Sequence, residues 1–136
     1  MPILLPSKSI FDLPINPGRQ LIDGEVINGL IGAIGSNATG LVAKAGGTIV
    51  GATPINVAMA DFTVCATASD SSILPPAYPG LTIYVTNRGA AAMQIFGTGS
   101  DTIQGTAGAT GVSLASGATA QFTCVVAGAW KRFVSA

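Results

Sequence analysis

The sequence predicts an all-β domain, an antiparallel β-sandwich or jelly roll behind an extended N-terminal arm, on three observations. From Gly47 onward, short runs rich in Val, Ile, Thr and aromatic residues are separated by clusters of Gly, Pro, Asn, Asp and Ser, the punctuation of many short strands. Two of these runs alternate cleanly. Ala118, Ala120, Phe122, Cys124 and Val126 interleave with Thr119, Gln121, Thr123 and Val125, and Leu81, Ile83 and Val85 interleave with Thr82, Tyr84 and Thr86. That is the two-residue period of a strand with one core face. Before Gly24, Pro2, Pro6, Pro14 and Pro17 interrupt an apolar run, which excludes a continuous helix and resists a central strand.

The elements follow in chain order. Residues 1–46 read as the arm and a Gly-rich connection, and residues 47–136 as the sandwich. Ile3, Leu4, Leu5, Ile10, Phe11, Leu13 and Ile15 make the arm too apolar for a solvated tail. It lies either on a neighbouring molecule or, as an irregular strand, on its own sheet. Ile27, Leu30, Ile31 and Ile34 recur at helical spacing behind Asp23, a candidate N-cap. Gly29, Gly32 and Gly35 oppose that short helix, each costing about 1 kcal/mol relative to Ala. Strands are expected at residues 48–52, 62–68, 82–86, 92–96, 112–114, 119–126 and 130–135. Asn87 to Gly89 and Ser116 with Gly117 supply hairpin reversals, and Gly128 a third, into Trp130.

Composition bounds what such a domain does. The 136 residues are 49% hydrophobic and 9% charged, and six basic side chains balance six acidic ones. Ordinary domains carry roughly 25% charge. Over the about 6,500 Å² expected of a folded chain this size, the charges fall about one per 500 Å². A surface so sparsely charged predicts a structural subunit that packs against copies of itself or a larger shell. Lys8, Arg19, Lys44, Arg88, Lys131 and Arg132 are scattered, which argues against a nucleic-acid partner, since that needs clustered cations. No secretory pattern opens the chain. The uncharged stretch from Val26 to Ala43 is diluted by Asn28, Ser36, Asn37, Thr39 and several glycines, so no membrane partner is expected and synthesis in a cytoplasm is.

The residues that chemistry requires are scarce. There is no His, and Glu25 is the one glutamate, so general acid-base and serine-type catalysis lack their usual base. Asp12, Asp23, Asp61, Asp70 and Asp101 fall in different turns, and Asp23 with Glu25 reads as a polar connection. Lys44 beside Gly46 and Gly47 reads as solvent-facing. The glycines at Gly97 and Gly99 lack the Lys-Ser/Thr ending of a phosphate loop. Cys65 and Cys124 lie in apolar runs and read as buried thiols, too few for a zinc site. The chain is therefore expected to be no enzyme, with no catalytic, metal or cofactor site. Trp130, at the head of the last strand, is a core or interface anchor.

Residues 54–136 carry a recognisable order of motifs: Thr67-Ala68-Ser69-Asp70-Ser71, Leu74-Pro75, Gly80-Leu81-Thr82-Ile83-Tyr84-Val85-Thr86-Asn87, and Gln94-Ile95-Phe96. Gly99-Ser100-Asp101-Thr102-Ile103-Gln104-Gly105, Leu114-Ala115-Ser116-Gly117, Phe122-Thr123-Cys124 and Ala129-Trp130 follow. This order resembles the small β-sandwich proteins of bacteriophage virions, capsid decoration or cement proteins and fibre modules. Gln104 stands where the pattern has Asn. The resemblance implies a protein on the outside of a phage capsid that cements neighbouring major capsid subunits. Its partners would be the major capsid protein and itself, as a homodimer or a trimer, and a head- or tail-fibre, receptor-binding module is the alternative. It also implies turn-forming roles for Asp101 and Gly105. The interface candidates are Ile3, Leu4, Leu5, Ile10, Phe11, Leu13, Ile15 and Trp130.

Overall fold

The computed structural model describes residues 36–135; the arm, its seven apolar interface candidates and the short helix lie outside them. The described residues form eleven strands and no helix: β1 (Asn37–Val42), β2 (Thr53–Pro54), β3 (Met59–Val64), β4 (Asp70–Ile73), β5 (Thr82–Asn87), β6 (Met93–Phe96), β7 (Thr102–Ile103), β8 (Thr106–Ala107), β9 (Val112–Leu114), β10 (Thr119–Val126) and β11 (Ala129–Ser135). The all-β class expected from the turn punctuation is what the described residues adopt.

The antiparallel jelly roll is not. Seven strands form one sheet in the order β1-β3-β5-β10-β11-β7-β8, and four form another in the order β2-β4-β6-β9. The chain crosses from one sheet to the other and back, so β1, β3 and β5 stack in parallel in the first. In the second, β2, β4 and β6 do the same. This is the winding of a short β-solenoid, in which Asn37, Met59 and Tyr84 stand in register on successive turns. Antiparallel strands then close it: β10 on β5, β11 on β10, and β9 on β6. Alternation along a strand reports which face is buried and says nothing of direction. The turn at Asn87 to Gly89 and that at Ser116 and Gly117 are corners between sheets, made with the same residue chemistry as a hairpin. Gly128, at φ 80°, does close a hairpin, between β10 and β11.

Both sheets contribute to one core. Phe62, Val85, Phe122 and Trp130 of the first meet Met93, Ile95 and Leu114 of the second, all almost fully buried. Burying each such side chain contributes about 1.5–3 kcal/mol. The predicted inward row of β10 holds through Ala120, Phe122 and Cys124 and fails at Val126. A bulge between Cys124 and Val126 shifts the register there, which turns Val126 outward. Cys65 and Cys124 are free, buried thiols.

The corners are tied by polar groups inside the fold. Asn87 is fully buried, and its side-chain amide donates to the carbonyls of Ala91 (2.9 Å) and Leu114 (3.0 Å) while its Oδ1 accepts from the Gly89 N–H (2.9 Å). One side chain thus fastens the β5–β6 corner to β9. Gly89 packs so closely on the corner above it that a Cβ would lie 2.3 Å from the Cys65 nitrogen. Asp70 Oδ2 accepts from the N–H groups of Ala66 and Thr67 (both 3.0 Å), and Ser71 Oγ donates to the Thr48 carbonyl (2.9 Å).

The folded unit begins earlier than residue 47. β1 and Ala43 belong to it, the Ala43 N–H donating to the Val64 carbonyl (2.9 Å). Gly40, at φ 77° beside a register shift, breaks the alternation that would mark residues 37–42 as a strand. Residues 48–52, expected as a strand, form turns and bends instead.

Candidate functional site: an outer sheet face and an open edge

The outward side chains of the seven-stranded sheet line up across its register. One row runs Asn37, Met59, Tyr84, Gln121, Phe133, and the next Thr39, Asp61, Thr86, Thr119, Ser135. Met59, Tyr84 and Phe133 are 56%, 40% and 60% exposed, an unusual allowance for large apolar side chains sharing one line. Beside them threonines pair across strands, Thr86 with Thr119 (2.9 Å) and Thr82 with Thr123 (3.3 Å), one hydroxyl of each pair donating to the other. A shallow depression of about 290 Å³ lies at the β1 side, lined by Asn37, Thr39, Met59, Asp61, Tyr84 and Thr86 among others.

The one ion pair among the described residues sits here. Arg88 donates to both carboxylate oxygens of Asp61, at 2.8 and 2.6 Å, and Thr39 Oγ1 donates to Oδ2 at 2.7 Å. The Arg88 hydrogen bond first, then that of Thr39, holds the Asp61 carboxyl at about 2. The guanidinium is correspondingly pushed up. A carboxylate so engaged is a structural tie across β1, β3 and the end of β5. Burial, and then the charge of Asp70, push the Cys65 thiol up, so it stays protonated and inert.

A second exposed apolar cluster forms at one end of the coil. Tyr78, Val125 and Val126 are 64%, 67% and 65% exposed. They are brought together because Gly80 N–H donates to the Cys124 carbonyl and Gly128 N–H to that of Ala77. Asp101 Oδ2 accepts from the Ala77 N–H (2.8 Å) and Thr98 Oγ1 donates to the Leu74 carbonyl (2.6 Å), which fixes the Pro75-Pro76 loop. The Asp101 side chain thus anchors a distant loop, where a bond within its own turn was expected. Gly105, at φ 84°, and Gln104, at φ 54°, form the β7–β8 turn, a left-handed pair in which Asn would be less strained than Gln.

Trp130 is 1% exposed on the core side of β11, so of its two expected roles the structure gives it that of a core residue, out of a partner's reach. Lys131 faces out, and Arg132, on the opposite face, donates to the Ser113 carbonyl of β9 (2.8 Å). Tyr84, like Tyr78, stands out in the sequence only as an aromatic able to stack on a sugar or a base, and Met59 and Phe133 do not stand out; the signal was an apolar or aromatic residue on the polar side of three strands, invisible as a cluster until the register is known. Among the described residues, no group of three or more His, Cys, Asp or Glu converges, and no helix is long and apolar enough to cross a membrane. No family model, curated protein or solved structure matches the chain.

Proposed function

We propose that this protein is a structural component of a phage virion that binds the outside of the capsid and cements neighbouring major capsid subunits. The observation that carries the reading is the outer face of the seven-stranded sheet, where Met59, Tyr84 and Phe133 stand exposed in one row flanked by cross-strand threonine pairs, and whose charges are the mutually paired Asp61 and Arg88 and the single Lys131. Such a face has little to offer a small substrate and much to offer a protein surface, where aromatic and Met side chains are the effective anchors. Cementing needs no single strong contact, because a standard interface of about 1,600 Å² is repeated at every equivalent position of a shell. The motif order in residues 54–136, resembling phage virion β-modules, supports the same setting. In this reading the protein is made in the host cytoplasm, resides on the capsid surface and is no enzyme. It needs no cofactor, binds neither nucleic acid nor membrane, and pairs with itself.

The arm would reach a neighbouring capsid subunit. Deleting residues 2–17 is expected to abolish co-sedimentation with empty shells while the circular dichroism and melting of the β-domain stay unchanged. Undiminished shell occupancy would remove the arm from the mechanism. A fibre or receptor-binding module is the second reading, favoured by the depression beside Tyr84, where an aromatic ring could stack on a glycan. Binding to host cells and not to shells would select it.

A further inference from the structure

The outermost strands are β1 and β8 in one sheet and β2 and β9 in the other; past Trp130 the seven-residue β11 also lacks a partner on its β7 side, an edge that carries Lys131 and Arg132 and where Gln104 Nε2 donates to the Arg132 carbonyl. Exposed edges invite strand addition, and folded proteins blunt them with shortness, Pro, charge or cover. Three of the four outermost strands are blunted. β8 is two residues long. β2 is two residues long and ends in Pro54. β9 is three residues long, and the Arg132 guanidinium covers its Ser113 carbonyl.

β1 is different. It is six residues long, with neither charge nor Pro in Asn-Ala-Thr-Gly-Leu-Val. The Ser36 carbonyl accepts from the Met59 N–H and the Ala43 N–H donates to the Val64 carbonyl, so those groups face β3. The N–H groups of Asn37 and Thr39 therefore point away from it, off the edge. Among the described residues only the Val42 carbonyl is met there, by Thr53 Oγ1 at 2.6 Å. Apolar side chains flank the edge: Val42, Met59 and Val64 are 54%, 56% and 44% exposed.

We propose that β1 pairs, strand to strand and antiparallel, with β1 of a second copy, joining two seven-stranded sheets across a two-fold axis. Outward backbone groups specify the occupant, since only another strand matches their spacing. Pairing a strand with its own copy about a two-fold is self-complementary at every position. Charge permits it: β1 is uncharged, Asp61 and Arg88 beside it neutralise each other, and Lys44 lies two residues past its end, so an antiparallel pairing sets the two copies of Lys44 at opposite ends of the ladder. An edge about 20 Å long with a few flanking side chains lies at the small end of interface sizes, so the dimer is reversible. This deepens the self-association in the reading above, and the shell enters it only as the setting.

The test uses the full chain. Light scattering across a dilution series is expected to show a monomer–dimer equilibrium, with the Asn37 and Thr39 amides protected from hydrogen exchange at high concentration and exposed on dilution. Asn37→Pro removes an edge donor that β3 does not use, and Asn37→Lys adds the missing edge charge should the first variant fold poorly. Either is expected to raise the dimer dissociation constant by more than about tenfold, the worth of the bonds lost in both copies. A wild-type monomer at all concentrations overturns the proposal. So does concentration-independent protection of those amides, which would mean that residues 1–35 of the same chain cover the edge, or dimerisation unaffected by both variants. Shell co-sedimentation is read separately: dimers that ignore shells sink the cement reading alone, and monomers that bind shells sink this one alone.

Discussion

Asp61 is a surface carboxylate tied by three hydrogen bonds, two from Arg88 and one from Thr39. Its folded value, about 2, lies below the ordinary 3.8, so folding is favoured by the charged form. That contribution is fully present above the ordinary value and is lost as pH falls from there through about 2. Both partners are solvent-accessible, with side chains 26% and 58% exposed, so solvent screens the pair and its contribution to stability is small. Arg88→Ala is expected to move the Asp61 titration up toward the ordinary carboxylate value, followed by NMR of its side-chain carbon, with little change in stability at pH 7. Titration still near 2 in the variant would make Thr39 the dominant partner. None of this is legible in the sequence, where Asp61 and Arg88 stand far apart. They meet because β3 and β5 run parallel with Asp61 opposite Thr86, a register that no local pattern encodes.

The strands that sequence periodicity finds are those that alternate. β9 and β10 lie at residues 112–114 and 119–126 as expected, and β5, β6 and β11 within a residue or so. The missed ones have physical excuses. β2, β7 and β8 have two residues each, too few for a period. β4 is mostly polar, Asp-Ser-Ser-Ile, yet buried: Asp70 Oδ2 and Ser71 Oγ bond the corners at Ala66, Thr67 and Thr48, while Asp70 Oδ1 and Ser72 Oγ are buried with no partner among the described residues. Corners are where the coil is least forgiving. Gly89 has an ordinary negative-φ backbone, so its requirement is space: a Cβ would meet Cys65 nitrogen at 2.3 Å and Cys65 Cβ at 2.5 Å. Gly89→Ala must push two stacked corners apart and is expected to destabilise the domain by at least about 2 kcal/mol in urea unfolding. A variant within about 0.5 kcal/mol of the parent would show that the corners do not stack this tightly.

The described residues form mixed sheets, wound in parallel through β1, β3, β5 and β2, β4, β6 and closed by antiparallel strands, where an antiparallel sandwich was expected, because hairpin turns and solenoid corners use the same Asn, Gly and Ser chemistry, and hydrophobic alternation is blind to strand direction. The two-faced character of the strands was legible and the topology was not. The consequence for function is a composite surface that exists only once the coil is wound: Asn37, Met59, Tyr84, Gln121 and Phe133 come from five strands and form one row. On the proposed reading that face and the arm meet the capsid, while the β1 edge meets a second copy. Immunogold labelling of intact virions tests the central proposal most directly. Gold distributed over the whole head is the result predicted for a cement protein; gold confined to the tail or fibres, or virions left unlabelled, would contradict it.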